Sequence, residues 1–464
     1  MPSMADWTVA DAARALRAGK VTATELAEDA IARQEKFGKT IGSYMRFLPD
    51  EARRAAKAAD AAFATGADLG LLQGIPVSLK DLFGMEGQPI HAGSAKELPA
   101  KFRAEGPLVR RLRQQLAVIV GRTHTSEFAY GEYGYGTNSQ HHTPRNPWDA
   151  VNVRPPGGSS SGAATSLCEG TALVGIGSDT TGSVREPACL TGNVGLKITH
   201  GRWSLDGIVP CSPTLDTPGP LARTVVDCGL AFAALDPTCD GAALTRNMAS
   251  SDVAGLRIGV AEDYYWTEST PSVVEGVKRA LDELARAGAR LIPMKLPEAR
   301  KAQTVFDDGD PCTVELYAFL SSELPSWIDT LRPSLKTKVM AGGKMAAADY
   351  YRRWHLARTM TKAFEPRWAE VDVFAMPTIS ITPPTVEELK KKSDPNEGRN
   401  TSLVNLLRLC AVSMPVGLDV AGMPIGLQLA APTMGEERLV AIAAACERVL
   451  GTSRQRLGVP PMCK

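Results

Sequence analysis

Between Thr8 and Phe37 the apolar positions recur at helical spacing, with Ala12, Ala13 and Leu16 on one face. Gly19-Lys20 stops that run, and Thr22-x-x-Glu25 has the form of a capping box opening a second helix. A third, alanine-rich helix is predicted from about Asp50 to Ala64, and the stretch Gly66 to Gly74 reads as a loop into the first strong strand, Ile75 to Lys80. Ala172 to Gly177 is a short apolar run bounded by glycine, the pattern of a strand buried on both faces. A strand–helix–strand unit follows: Leu256 to Val260, then Pro271 to Ala287 with Val274, Val277, Ala280, Leu281 and Leu284 inward, then Leu291 to Met294. Thr304 to Val371 reads as mostly helical and ends in the strand Val371 to Met376. Ala411 to Val416, Ile425 to Leu429 and the helix Glu436 to Leu450 restore the alternation. Strands alternating with helices predict an α/β protein built on one large mixed or parallel sheet covered on both faces by helices.

Composition narrows the ligand. The 44% hydrophobic and 22% charged residues fit a globular chain with a large core, while 464 residues alone set no domain count. Lysine plus arginine (52) nearly cancel aspartate plus glutamate (51), so no net field exists to hold nucleic acid or an anionic membrane. The expected ligand is small and uncharged. The 9 cysteines show no C-x-x-C spacing, which fits reduced thiols in a cytoplasmic chain. Met1 to Gly19 has no apolar core of signal-peptide length, and no stretch reaches the roughly 20 apolar residues of a membrane span, so a soluble cytoplasmic protein is expected.

From Gly121 to Leu235 glycine, serine, threonine and proline interleave with short apolar runs, as in closely packed backbone and functional loops. Pro155-Pro156-Gly157-Gly158-Ser159-Ser160-Ser161-Gly162 leads into a helix of small residues. The strand at 172–177 then delivers Asp179-Thr180-Thr181-Gly182-Ser183 to the sheet edge, where a tight turn would aim consecutive amides at one spot, as stabilisation of an oxyanion requires.

These segments, PGGSSSG and GSDTTGSVREPA after GIPVSLKD, resemble the amidase signature family. The resemblance extends over most of the chain and includes Asn146-Pro147-Trp148-Asp149, Gly195-Leu196-Lys197, Leu215 to Pro220 and Gly422 to Gln428. It implies one domain over 1–464, with a core at about 65–240 and 370–450 and a helical, specificity-determining insert at about 300–370. By the same resemblance Lys80 is the lysine base, Ser159 the relay serine in a cis peptide and Ser183 the nucleophile. The amides of Thr180, Thr181, Gly182 and Ser183 form the oxyanion hole, with Ala129 and Tyr130 on the substrate wall. The implied activity is hydrolysis of a small carboxamide to an acid plus ammonia or an amine, with no metal or organic cofactor. A homodimer is the family's common state, although the sequence leaves assembly open. The amidase-type component of a tRNA-dependent amidotransferase, which frees ammonia from glutamine for a partner, is the alternative.

Elementary chemistry supports these roles. A serine hydroxyl needs a base, and a lysine serves only when neutral, which burial achieves. Strand alternation puts Ser78 and Lys80 on one face and Asp81 on the other, so a lowered Lys80 pKa is predicted. Two departures from the family pattern stand out: Thr181 precedes Gly182 where two glycines are common, and His124 follows Thr123 where an asparagine is common.

Other readings carry less weight. Gly158 to Gly162 also satisfies G-x-S-x-G with Ser160 as nucleophile, but Pro155-Pro156 spoil the preceding strand that an elbow needs, and only His200 and His355 follow as bases. His141-His142 lack the cysteine or acidic partners of a metal site and read as loop residues. Asp179 and Arg185 flank the nucleophile and read either as binders of a charged substrate or, with at least equal weight, as an ion pair bracing the turn. Tyr317, Trp327, Tyr350, Tyr351, Trp354 and Trp368 read as helix packing.

Overall fold

The computed structural model describes residues 4–131, 142–261, 264–307, 310–391 and 398–464. Its first three strands are β1 (Tyr44–Phe47), β2 (Pro76–Lys80) and β3 (Val118–Thr123), followed by β4 (Val174–Asp179), β5 (Val194–Lys197) and β6 (Thr217–Ala222). The second half supplies β7 (Arg257–Ala261), β8 (Arg290–Met294), β9 (Val373–Pro377), β10 (Cys410–Leu418) and β11 (Pro424–Ala431). They form one 11-stranded sheet in the order β1-β3-β2-β4-β6-β5-β10-β11-β9-β7-β8.

The sheet is mixed in an ordered way. β2 runs parallel to both β3 and β4, and β7 runs parallel to both β8 and β9. Antiparallel pairs from β4 through β6, β5, β10 and β11 to β9 join the two parallel wings. Every residue of β2, β3, β4, β5, β6, β9 and β11 is buried, as strands covered on both faces must be. Val77 lies opposite Val174 and Leu79 opposite Ile176, so β2 and β4 end side by side, and Lys80 and Asp179 leave the sheet at the same edge. Loops at the carboxyl ends of adjacent parallel strands are where α/β sheets hold their ligands.

The helices follow the apolar pattern closely. The first two are Val9–Arg17 and Ala23–Ile41, and the second opens on the predicted capping box, with the Glu25 amide on Thr22 Oγ1 at 3.0 Å and the Thr22 amide on Glu25 Oε2 at 2.8 Å. It runs past Phe37 because nothing stops it before Gly42, which takes the left-handed conformation. In the helix Pro271–Arg286 the buried valine pair is Val273 and Val277 rather than Val274 and Val277. The helical region contains Pro297–Asp307, Pro311–Glu323, Pro333–Gly342 and Ala347–Phe364 before β9. Phe364, Trp368 and Phe374 pack ring to ring there, with centroids 5.0–5.6 Å apart. Among the described residues no helix is long and apolar enough to cross a membrane.

The helix Ser161–Glu169 lies against β2, β3 and β4. A Cβ on Gly162 would stand 2.1 Å from the Ser43 carbonyl oxygen, so only glycine lets the serine loop descend onto the sheet at this point.

Candidate active site

Lys80 ends β2 fully buried, and its Nζ reaches Ser159 Oγ at 2.7 Å and Ser178 Oγ at 2.9 Å. Asp81 points the other way, as the alternation requires. Its carboxylate takes the Arg122 Nε at 2.6 Å and the amides of His91 and Ala92 at 2.9 and 3.0 Å. Among the described residues, therefore, no carboxylate bonds the Lys80 ammonium. Burial brings its pKa down from 10.5 to about 7, opposed more weakly by the charges of Asp216 and Asp179. Near neutrality a large share of this amine is free to accept a proton.

Ser159 follows a cis peptide bond from Gly158. The neighbouring Ser160 amide donates to the Ser183 carbonyl at 3.2 Å, which fastens the serine loop to the turn after β4. Ser160 itself is fully buried and spent on structure: its hydroxyl donates to the Ser178 carbonyl at 3.2 Å and accepts from the Ser178 amide at 3.3 Å. That bonding, with no strand leading into it, rules against a nucleophile elbow at Ser160.

The turn carrying Ser183 is held from two sides. Asp179 accepts the Val184 amide at 3.2 Å and a two-pronged contact from Arg185, Nε at 3.0 Å and Nη2 at 2.9 Å, with both side chains fully buried. Arg185 also donates to Gln428 Oε1 at 2.6 Å and the Thr401 carbonyl at 3.1 Å, and to Asn405. Of the two sequence readings of the pair, the structure shows the brace, and Arg185 holds the Asp179 carboxyl well below the usual carboxylate range. From the other side, Thr401 donates to the Thr181 carbonyl, and a Cβ on Gly182, whose φ is 145°, would stand 2.5 Å from Thr401 Oγ1. Among the described residues the amides of Thr180, Thr181, Gly182 and Ser183 donate to no protein acceptor. Free N–H groups on a pinned turn beside a hydroxyl are suited to an anionic oxygen.

A cavity of about 340 Å³ opens on this turn, with Ser183, Thr180 and Thr181 on its floor and Ala129 and Tyr130 on one wall. The Tyr130 hydroxyl donates to Asp310 Oδ2 at 2.7 Å. The far wall comes from the helical region, through Gln303, Phe306, Cys312 and Lys338. None of the six aromatic residues singled out between Tyr317 and Trp368 lines it. His124 stays behind the serine loop, where its carbonyl takes the Gly162 amide at 3.1 Å. His141 lies outside the described residues, and His142 packs edge-on against the His124 ring at 4.9 Å. Among the described residues no cluster of histidine, cysteine or acidic groups is arranged for a metal.

Sequence reasoning missed Ser178, the second partner of Lys80, and Asp216, a buried carboxylate that accepts Thr180 Oγ1 at 2.6 Å. Asp216 lies inside one of the family-like stretches, but nothing in that stretch points to Thr180.

A family model described as Amidase matches residues 25–440. The chain is 40% identical over 460 residues to 2-amino-5-chloromuconic acid deaminase of Comamonas testosteroni, covering 98% of each. It is 34% identical over 403 residues to a component of the glutamyl-tRNA(Gln) amidotransferase of Chloroflexus aurantiacus, covering 80% of this chain and 81% of that one. Among solved structures, one titled as an amidase superposes with a TM-score of 0.85 at 26% identity, over 96% of this chain and 100% of that one. The native peptide amidase of Stenotrophomonas maltophilia superposes with a TM-score of 0.79 at 27% identity, over 98% of both chains.

Proposed function

The chain belongs to the amidase family and is a hydrolase of amide C–N bonds, and on that premise we propose that Ser183, Ser159 and Lys80 carry the reaction. The observation that carries this reading is the 2.7 Å contact between a fully buried lysine and the Ser159 hydroxyl, on a loop bonded to the backbone of Ser183. As Ser183 Oγ attacks the amide carbon, its proton passes to Ser159 Oγ, and the Ser159 proton passes to the neutral Lys80 amine. The tetrahedral oxyanion forms against the free amides of residues 180–183. Collapse breaks the C–N bond, the relay runs backwards, and the amine leaves with the returned proton. Water, deprotonated by the same relay, then attacks the ester carbonyl and releases the acid and Ser183.

A cavity of about 340 Å³ suits a small carboxamide. The region at about 300–370 chooses among amides, since much of the far wall is drawn from it. We place the enzyme in the cytoplasm, a reading supported by nine cysteines outside any disulfide, and expect a homodimer that binds no nucleic acid. The likeness to an amidotransferase component keeps a second reading in play, in which glutamine is the amide and a partner receives the ammonia.

The test is ammonia release by the purified chain on aliphatic, aryl, arylacetic, dicarboxylic and ureido amides and glutamine, beside Ser183→Ala. Turnover of a non-glutamine amide that vanishes in Ser183→Ala is expected. Activity on glutamine alone, or only with a partner, establishes the second reading, and a Ser183→Ala enzyme that still turns over refutes the assignment of the nucleophile.

A further inference from the structure

Asp216 is a buried carboxylate that, among the described residues, bonds no arginine or lysine. One oxygen accepts the Thr180 hydroxyl at 2.6 Å, and the other accepts the amides of Cys211 and Ser212 at 2.9 and 3.0 Å. Thr180 and Cys211 both line the cavity, so Asp216 joins the turn that carries Ser183 to the segment facing it. That segment is tied in turn to the helix Pro311–Glu323. Glu315 accepts the Ser212 hydroxyl at 2.9 Å, the Thr214 amide at 3.0 Å and the Tyr350 hydroxyl at 2.8 Å. The Asp216 carboxylate is also the charge that acts most strongly on Lys80.

We propose that Asp216 is a positioning residue of the hydrolysis: it fixes the oxyanion turn through Thr180, and it supplies the negative charge that keeps Lys80 able to take up and hold a proton. The proposal rests on the assignment of Lys80 as the base. Of the other groups near that amine, Ser159 and Ser178 are neutral, Cys211 is a thiol whose pKa burial pushes up, and Asp81 is turned to Arg122. Asp179 is bonded to Arg185 and Asn405, with Lys197 close by. Glu315 acts on Asp216 from the helical side and raises its pKa further. Among the described residues, Asp216 is thus the nearby carboxylate without a bonded cation. Burial raises its own pKa to about 6, while the Thr180 hydroxyl and the amides of Cys211 and Ser212 bond its oxygens and favour the charged form.

The experiment is the pH profile of kcat/KM for the whole chain and three variants. In the wild type the rate rises with pH as Lys80 loses its proton. In Asp216→Asn the ammonium has lost its counter-charge, so that rise moves to lower pH by roughly one pH unit, while kcat falls on the order of 100-fold from the loosened turn. Thr180→Val removes only the hydroxyl, leaves the charge, and lowers kcat with the rise in place; Thr180→Ser restores it. An unmoved rise in a folded Asp216→Asn enzyme, or a normal kcat in Thr180→Val, overturns the proposal. Where Asp216→Asn does not fold, the Thr180 pair decides the fixing of the turn, and a normal kcat in Thr180→Val still overturns the proposal. A wild-type rate with no rise near neutrality refutes Lys80 as base instead, a different outcome from either.

Discussion

Replacing Lys80 by methionine should stabilise the protein while removing its activity. An amine whose pKa drops from 10.5 to about 7 on folding binds a proton more readily in the unfolded chain than in the native one. The sign follows from that: there is no penalty above the unfolded value, stability is lost as pH falls from about 10.5 towards about 7, and the loss is constant below. The cost works out at about 4 kcal/mol at about pH 7 and about 1 kcal/mol at about pH 9.5. Methionine fills nearly the same volume without the charge but forfeits the hydrogen bonds to Ser159 and Ser178, a loss of about 1–3 kcal/mol. At about pH 7 the variant should therefore be more stable by about 1–3 kcal/mol, about 1–3 °C in Tm for a chain of this size. At about pH 9.5 the gain should vanish or reverse. Thermal melts of both proteins at the two pH values, beside amide turnover, make the comparison. A Lys80→Met enzyme within tenfold of the wild-type rate refutes the relay. A variant whose advantage grows with pH refutes a lysine buried neutral.

Two further substitutions probe the turn. Arg185→Met leaves Asp179 charged and sealed from water, with Gln428 and Asn405 stripped of a partner, and should cost about 3–5 kcal/mol in denaturant melts; a loss below about 1 kcal/mol would show that the pair is not the brace. Gly182→Ala drives a Cβ into Thr401 Oγ1 at a φ that side chains rarely adopt, so kcat should fall on the order of 100-fold with KM little changed, and an unaltered kcat would dissociate the turn from catalysis.

The candidate site was legible where chemistry and local pattern coincide. Lys80 ends a short apolar strand, Ser159 sits in a glycine-serine loop, and Ser183 follows a strand and a glycine, so each is marked by its immediate neighbours. The support for them is not local. Ser178 meets a lysine 98 positions earlier in the chain, and Thr401 meets a carbonyl 220 positions earlier. The sheet is similar. β6 reads Thr-Pro-Gly-Pro-Leu-Ala, a turn by any local rule, yet all its residues are buried between β4 and β5. Two prolines cannot donate to a ladder, so neighbouring strands rather than propensity impose that conformation.

The topology separates what the chemistry must keep from what the substrate is free to change. Lys80 and the Ser183 turn leave adjacent parallel strands whose register is set by buried apolar pairs, Val77 with Val174 and Leu79 with Ile176. A shift of one residue there would turn Lys80 to the opposite face, so this wing tolerates little variation. Gln303, Phe306, Cys312 and Lys338 reach the same cavity from the helical region, and no hydrogen bond joins their side chains to Lys80, Ser159 or Ser183 among the described residues. On the proposed reading, exchange of those side chains should change which amide fits without altering the hydrogen bonds around the lysine. The helical region is tied to the catalytic segments through Tyr130 on Asp310 and through Ser212 on Glu315 beside Asp216, so changes at these contacts, unlike changes at the cavity-lining side chains, should alter rate and selectivity together.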